Sequence, residues 1–405
     1  MALTANHVNN ELIKFRKDAA TNFLRSSRFD PYMGADSTFP IVRMKDLAAD
    51  GKEIRVPLVT QLIGSGVGAG TLRGNEEQID SYGMPVWADW ARNAVANNRA
   101  VDKESSFSIR STARSLLSGW SRRVVRDDLI DALLSIPTAS VQSNRLIAPG
   151  NRVNGLKWSA ASAQNKTDWI AANYDRLLFG AALSNHYTVA TGATATWTAA
   201  AGACDTTADK MTAAVGSYLK QIAQQSGVSS ANPGVYNGRP KITPFQLKKT
   251  DQEWYLCLLG SRAMRDLKAD PVMYQANRDA RERESSPTSN NPIFTGGGLV
   301  YDGIIYLEMP EITQRLLQVG AGSSTDVEPL FMLGQGAMAY AVGQMPRPTQ
   351  LEDGDYDFIT GMGVEAQYGV AKIAKAPMSA AVPPPSTALV DWGMATGFVA
   401  APAST

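Results

Sequence analysis

Residues 64–77 read GSGVGAGTLRGNEE, and this stretch decides what kind of fold the chain can form. Gly64, Gly66, Gly68 and Gly70 alternate with small residues, so one face of an extended chain here consists of backbone alone. Another polypeptide can therefore lie very close to it. We expect a segment that leaves the body of the protein and contacts a second chain.

The residues before this stretch indicate an extended chain. Ile54, Val56 and Leu58 fall on one face of a predicted strand. Pro57 removes one donor from the strand's hydrogen-bond ladder, which favours an edge strand that is available for pairing. We therefore assign residues 51–100 to one long excursion, called the extended loop below.

The same glycines also fit part of a dinucleotide-binding fingerprint. Gly64, Gly66 and Ala69 have the spacing of a turn that approaches a pyrophosphate. Such a turn must open an amphipathic helix whose amino terminus holds the phosphate. The residues after Gly70 have no apolar stripe, and Gly74 would stand in the first turn. A dinucleotide-binding enzyme is therefore the weaker alternative.

The segment after the extended loop predicts the longest helix of the chain. Asp102 can cap it, Pro137 stops it, and apolar residues such as Ile109 and Leu117 keep a 3.6-residue spacing. A helix over 103–136 extends roughly 50 Å at 1.5 Å per residue, longer than a mean globular helix. We expect it to be the spine of a broad, thin domain.

The remainder of the chain mixes helical and extended patterns, which predicts an α+β fold. Segments 169–183 and 208–225 favour helices, and 254–259 has the character of a buried strand. Asp302 and Gly303 join two extended pieces, and an Asp-Gly pair in that position predicts a β-hairpin.

The composition excludes several classes of function. The 405 residues include 39 Lys and Arg and 38 Asp and Glu. The net charge is therefore close to zero, and the chain has no excess of positive charge that would attract nucleic acid. Two histidines and two widely separated cysteines cannot supply a zinc ribbon, a disulfide framework or a His-dependent triad. The amino terminus lacks a secretory signal, and no apolar run predicts a membrane span. We expect no enzyme activity, no cofactor and a cytoplasmic site of synthesis.

One acidic motif is a candidate for metal binding. Asp353, Asp355 and Asp357 have the spacing of the first three ligands of a calcium loop. Phe358 stands where the turn glycine belongs, and Val364 stands where a bidentate glutamate is needed. An acidic surface turn before a strand is the favoured interpretation, and metal binding stays open.

Taken in order, these pieces resemble a known family. They are an amino-terminal arm, a Gly-rich excursion ending in Leu72-x-Gly74-Asn75-Glu76-Glu77, the long helix, the turn Asn291-Pro292-x-Phe294-Thr295-Gly296-Gly297, and Tyr301-Asp302-Gly303. This order resembles the major capsid proteins of tailed double-stranded-DNA phages. It is most similar to the branch of the N-four type, whose fold is the Hong Kong 97 capsid fold. The resemblance covers about residues 50–375.

The resemblance implies a division of the chain into named parts. They are an N-terminal arm (1–50), the extended loop (51–100), a peripheral domain (101–185) with a spine helix (103–136), an axial domain (186–342), a peripheral return strand (343–375) and a C-terminal tail (376–405). The extended loop would lie over a neighbouring subunit and contact it through Gly64, Gly66, Gly68, Gly70, Arg73, Asn75, Glu76 and Glu77. The tail residues Trp392 and Phe398 have no obvious core to enter alone, so we expect them to pack on an adjacent subunit.

The implied function is that of a major capsid protein. Such a subunit assembles with itself, as hexamers and pentamers, into the icosahedral head that encloses double-stranded DNA without sequence-specific binding. It would be assembled in the host bacterial cytoplasm and reside in the virion, with scaffolding, portal and decoration proteins as further partners and no membrane. A portal or tail protein is the other structural alternative. No motif places a cross-linking Lys and Asn pair.

Overall fold

The fold is described from a computed structural model of the chain. It describes residues 28–44, 53–59, 67–74, 76, 81–98, 100, 109–138, 152–181, 196–204, 208–227, 239–246, 252–282, 299–318, 326–351, 358–375 and 389–403, and the structural statements below refer to these residues.

The described residues form strands and helices in mixed order. The strands are β1 (Met33–Gly34), β2 (Ile41–Met44), β3 (Glu53–Val59), β4 (Ser81–Trp87), β5 (Asp89–Asn98), β6 (Val153–Asn154), β7 (Leu177–Phe179), β8 (Phe245–Gln246), β9 (Glu253–Leu259), β10 (Leu299–Tyr301), β11 (Ile304–Glu308), β12 (Leu317–Gln318), β13 (Asp326–Leu333), β14 (Met338–Leu351), β15 (Ile359–Lys372), β16 (Ala374–Lys375), β17 (Val390–Asp391) and β18 (Met394–Ala400). The α-helices are α1 (Ile109–Leu134), α2 (Ala163–Ala172), α3 (Trp197–Gly202), α4 (Ala213–Gln225), α5 (Ser261–Ala269), α6 (Pro271–Glu282) and α7 (Pro310–Thr313).

The first sheet has six strands and lies against the long helix α1. Its order is β1-β2-β14-β15-β5, with β6 beside β15. Every second residue of β15, including Val364, Tyr368 and Val370, faces the helix, where Val125 and Leu129 of α1 are fully buried. The 3.6-residue pattern of the helix and the two-residue pattern of the strand therefore meet at one interface.

The hairpin formed by β3 and β4 covers the opposite face of this sheet. Its apolar residues, among them Val56, Leu58 and Val86, are buried on Ala339 and Ala371 of β14 and β15. Small residues in the sheet let the hairpin come close. At Gly369, a Cβ atom would lie 1.9 Å from the carbonyl oxygen of Trp87, so only glycine fits there.

The second sheet has eight strands. Its order is β10-β11-β9-β13-β18-β7, with β12 beside β13 and β8 beside β9. Residues of α4 and α5, such as Leu219 and Met264, pack with Leu330 and Val399 of the two central strands. The core therefore lies on both faces of this sheet.

The predicted hairpin at Asp302 and Gly303 is confirmed. β10 and β11 are antiparallel, with Tyr301 opposite Ile304. Asp302 and Gly303 have φ values of 50° and 70°. Two positive φ angles in a two-residue loop define the turn that matches the twist of the flanking strands.

Several other expectations can be compared with the elements. The helix expected over 103–136 is present at Ile109–Leu134, and residues 101–108 lie outside the described part. The buried strand at 254–259 is confirmed in β9. The helix expected over 208–225 begins at Ala213, because Thr212 caps it by accepting a hydrogen bond from the N–H of Val215.

The expected helix over 169–183 is wrong. Helix α2 ends at Ala172, and residues 177–179 form strand β7 beside β18. Leu177 and Phe179 enter the core on one face of the sheet, while Leu178 enters the core on the other. A short apolar run buried on both faces has no periodicity that distinguishes a strand from a helix.

The expected single return strand over 343–375 is also wrong. The chain makes an antiparallel pair, β14 and β15, that begins at Met338. The second sheet includes β7 and β18 from outside residues 186–342, and the division of the chain into a peripheral and an axial domain stays a prediction.

The C-terminal segment enters the core of its own chain, which corrects the expectation for Phe398. Strand β18 lies between β13 and β7, and Phe398 is fully buried. Its ring stacks on Phe179 at 5.0 Å and meets Trp197 edge-on at 5.1 Å. These apolar tail residues are buried by parts of the same chain that are distant in sequence. No neighbouring subunit is therefore needed to bury them.

We expect Phe398→Ala to destabilise the unassembled subunit by about 3–5 kcal/mol, because it leaves a cavity in the aromatic cluster. The measurement is urea unfolding followed by tryptophan fluorescence. Phe358→Ala is the matched control, since Phe358 is 43% exposed and should change stability little. Equal effects of the two substitutions would contradict the placement of β18.

Candidate inter-subunit surface

The tip of the extended loop is exposed. Of the predicted contact residues, Gly68, Gly70, Arg73 and Glu76 are described and all lie exposed on the surface. Gly64, Gly66, Asn75 and Glu77 lie outside the described residues. Leu72, which was not predicted as a contact residue, is 68% exposed. A single exposed leucine is common on protein surfaces, so the contact of this tip with a second subunit stays a prediction.

A local hydrogen bond shapes the tip. The carboxylate of Glu76 accepts a hydrogen bond of 2.7 Å from the N–H of Gly74. Gly74 has a φ of +90°, which L-residues with side chains rarely adopt. Residues 71 and 72 are irregular and residues 73 and 74 form a turn, where a dinucleotide site would require a helix. The described part of the tip therefore lacks the helix that the dinucleotide alternative requires.

The base of the loop is clamped to the first sheet by a buried amide. The side chain of Asn154 accepts a hydrogen bond from the N–H of Trp87 and donates one to the carbonyl of the same residue, both at 3.0 Å. It also donates to the carbonyl of Val370 at 3.3 Å. Asn154 is buried, so water does not compete for these bonds. The loop therefore leaves the body from a fixed point.

Helix α1 is held to the first sheet by a second polar cluster. The carboxylate of Asp128 accepts hydrogen bonds of 2.6 Å from the hydroxyl of Tyr368 and from Nε of Arg152. Burial raises the pKa of Tyr368 well above its usual value, so its hydroxyl stays protonated as a donor. This cluster fixes the position of α1 relative to β15.

The C-terminal segment is held by a buried ion pair. Nζ of Lys372 lies 2.9 Å from the carboxylate of Asp391, and both side chains are 1% exposed. Burial lowers the pKa of Lys372 and raises the pKa of Asp391, because it disfavours both charged forms. The backbone N–H of Asp391 also donates to the side-chain oxygen of Asn173 at 2.8 Å.

Asp175 lies between two arginines beneath this segment. Its carboxylate contacts Arg176 at 2.8 Å and Arg239 at 2.9 Å. Burial opposes ionisation of Asp175, but the two guanidinium groups outweigh it and hold its pKa well below the usual range. Arg176 also donates to the backbone carbonyls of Asp391 and Pro240. Sequence reasoning missed this cluster, since no spacing connects its members.

Trp392 is half-buried and packs beside the apolar residues under the β3–β4 hairpin of its own chain. Part of its surface stays exposed, so the expectation that it packs on an adjacent subunit stays a prediction.

The described residues offer little material for catalysis or metal binding. Cys204 and Cys257 are buried, and burial raises the pKa of the Cys257 thiol far above its usual value. No group of three metal-ligating side chains occurs among the described residues. Asp353, Asp355 and Asp357 lie outside them. The described helices include none that is long and apolar enough to cross a membrane.

A family model described as phage capsid protein matches residues 4–376. The chain belongs to this family. It is a major capsid protein, a structural component of a phage virion, as the sequence predicted. A comparison with curated protein sequences finds no match.

Solved phage capsids have the same fold. The capsid of the cyanophage Pam1 is 28% identical, with a TM-score of 0.72 and 94% of each chain covered. The capsid of the Ralstonia phage GP4 is 18% identical, with a TM-score of 0.65 and coverage of 93% of this chain and 92% of that one. The head protein of the Helicobacter pylori bacteriophage KHP40 is 13% identical, with a TM-score of 0.57 and coverage of 92% and 90%. The mixed helix and sheet architecture of this capsid protein is thus shared across nearly its whole length.

We expect Asp175→Asn to destabilise the unassembled capsid protein by about 3–5 kcal/mol at pH 7, because two buried arginines lose their counter-charge. The folded pKa of Asp175 is below its unfolded value, so its stabilisation is present above the unfolded pKa and lost as pH falls. The difference between wild type and variant should therefore shrink between about pH 5 and pH 2.

Urea unfolding at a series of pH values measures this difference. Asp36→Asn is the control, since Asp36 is exposed. A difference in stability that stays constant down to pH 2 would show that Arg176 and Arg239 do not lower the pKa of Asp175.

Proposed function

We propose that this capsid protein assembles with copies of itself into a closed icosahedral head shell of hexamers and pentamers that encloses double-stranded DNA. The observation that carries this proposal is the extended loop, which combines an exposed tip at Leu72 with a base clamped by Asn154. A protruding segment with a rigid base can join two subunits without deforming either body.

The fold assignment in this proposal is the Hong Kong 97 type, within the branch of the N-four type. In this scheme α1 is the spine helix of the peripheral domain, and the second sheet forms most of the axial domain. The Gly-rich excursion, the long helix and the Asp302-Gly303 hairpin support the assignment because they occur in the expected order.

The mechanism is assembly, and no chemical step is required. Backbone and apolar contacts of the extended loop join neighbouring subunits, and many weak contacts per subunit together give a stable shell. A net charge of +1 lets the shell hold DNA without binding it tightly, so the genome can leave again.

The further partners that we propose are scaffolding and portal proteins during assembly and a decoration protein on the finished head. A portal or tail role is the second candidate. It differs in a measurable way, since such proteins form rings of fixed number and capsid proteins form closed shells.

Replacing residues 60–80 with Asn-Gly should leave the subunit folded and abolish assembly. Val59 lies opposite Ser81, so a two-residue turn can close the β3–β4 hairpin and keep its buried face. Electron microscopy and light scattering measure assembly, and thermal unfolding measures the stability of the subunit.

The wild-type chain is the control for this shortened variant. Both proteins are purified and incubated with lysate from infected cells under the same conditions. Closed shells from the wild type and a folded monomer from the variant are expected. Normal particles from the variant would overturn the role of the extended loop. Rings of fixed number from the wild type would favour the portal or tail alternative.

A further inference from the structure

A cavity of about 400 Å³ lies where the end of α1 meets α2, α3 and the residues that follow α7. We call it the Trp158 pocket, after one of the residues that line it. Ser159 and Gln314 belong to its lining and are exposed, so the pocket is accessible from solvent. A cavity of this size can hold a small organic molecule or one side chain of a peptide.

Part of the lining is apolar and rigid. It consists of the rings of Trp158 and Trp197 and the side chains of Leu134 and Leu317. The two rings meet edge-on with their centroids 4.7 Å apart, and the residues are 7% and 8% exposed. Their packing fixes this surface before any ligand arrives, which reduces the entropic cost of binding an apolar group.

The charged part of the lining has an excess of cations. Lys157, Lys166 and Arg315 line the pocket together with one carboxylate, that of Asp131. This carboxylate lies 2.5 Å from Nε of Arg315 and 3.8 Å from Nζ of Lys157, so two cations share it. Arg315 also lies 3.7 Å from Asp127. The excess positive charge therefore resides on the two lysines.

Lys166 is the cation of this lining that has no carboxylate partner within the described part of the chain. Its Nζ lies over the ring of Trp158, 5.2 Å from the centroid. The ring attracts the ammonium group but cannot neutralise it. Burial lowers the pKa of Lys166, because partial removal from water disfavours the charged form. A bound anion would replace the interaction with water that the ammonium group has lost.

We propose that the Trp158 pocket binds a carboxylate carried on an apolar body, with the carboxylate on the ammonium group of Lys166 and the apolar body against Trp197 and Leu317. The proposal is independent of shell assembly, because every residue involved belongs to one subunit. Two sources carry this chemistry. One is a free organic acid, and the other is an acidic residue beside an apolar residue in a segment of another protein.

A nucleic acid fits this lining less well. Proteins bind unpaired bases by stacking them on exposed ring faces, and Trp158 and Trp197 are nearly buried. A phosphate backbone also requires a groove of cations along its path. Lys157 and Arg315 are already paired with Asp131 and do not provide such a groove. The lining therefore favours a single anionic group on an apolar body.

Isothermal titration calorimetry of the purified full-length chain near neutral pH tests the proposal. The probe is phenylbutyrate, which has one carboxylate on an apolar body. Acetate lacks the apolar body, and phenylbutanol lacks the charge. Phenylbutyrate should bind with one molecule per chain and about tenfold more tightly than either control ligand. Equal affinity for acetate, phenylbutanol or inorganic phosphate would overturn the proposal.

Substitution of Lys166 tests where the carboxylate binds. Lys166→Gln removes the charge, so it should weaken phenylbutyrate binding about tenfold and leave phenylbutanol binding unchanged. Lys166→Arg keeps the charge and should retain most of the affinity. Lys268→Gln is the matched control, because Lys268 lies on α5 outside the pocket and is paired with Glu308 at 3.6 Å. Equal losses from Lys166→Gln and Lys268→Gln would contradict the proposed site.

Lysine acetylation of the wild type decides the case in which the variants do not fold. Phenylbutyrate should reduce the acetylation of Lys166 by an N-hydroxysuccinimide ester several-fold, while Lys268 changes little. Mass spectrometry of peptides measures both residues. Unchanged acetylation of Lys166 at the highest soluble concentration of phenylbutyrate would overturn the proposal.

The peptide acetyl-Gly-Phe-Glu-Gly-amide distinguishes the two sources of the carboxylate. Tighter binding of the peptide than of phenylbutyrate assigns the pocket to a segment of another protein, and weaker binding assigns it to a free organic acid. Failure of both probes to bind overturns the proposal. Shell assembly is measured separately by electron microscopy, so that failure leaves the proposed function intact.

Discussion

The packing of the β3–β4 hairpin on the small-residue face of β14 and β15 is the constraint on which the rest of this capsid protein depends. A loop that joins two subunits transmits load only if its base cannot move. Here the base is fixed by buried aliphatic residues, by the close approach at Gly369 and by the two-sided amide of Asn154. In the proposed assembly, the rest of the loop contacts the neighbouring subunit.

Buried polar clusters connect the elements that a shell subunit must keep in register. Asp128 joins helix α1 to β15, and Lys372 joins β15 to Asp391 of β17. Such ion pairs add little net stability compared with well-packed apolar residues, because both charges lose their water. Their geometric specificity fits a subunit that must present one fixed shape to several neighbours.

Local patterns in the sequence were sufficient for part of this structure. The spacing of apolar residues located α1, and the Asp302-Gly303 pair located a hairpin, because both depend on neighbouring residues only. The positions of Phe398 and Leu177 could not be predicted, since their strands pair with partners far along the chain. The Gly-rich stretch indicated a protruding loop, but Leu72 and the clamp at Asn154 had no sequence signature.

The position of β18 has a consequence for synthesis. The second sheet is completed by residues 394–400, which are synthesised after its other strands. Until β18 is made, Leu330 and Phe331 of β13 lack their neighbouring strand, and Trp169 lacks its contact with the ring of Phe398. Domains fold as units during translation, so a prematurely terminated chain cannot complete this sheet. The fold thereby restricts folded subunits to chains that contain β18.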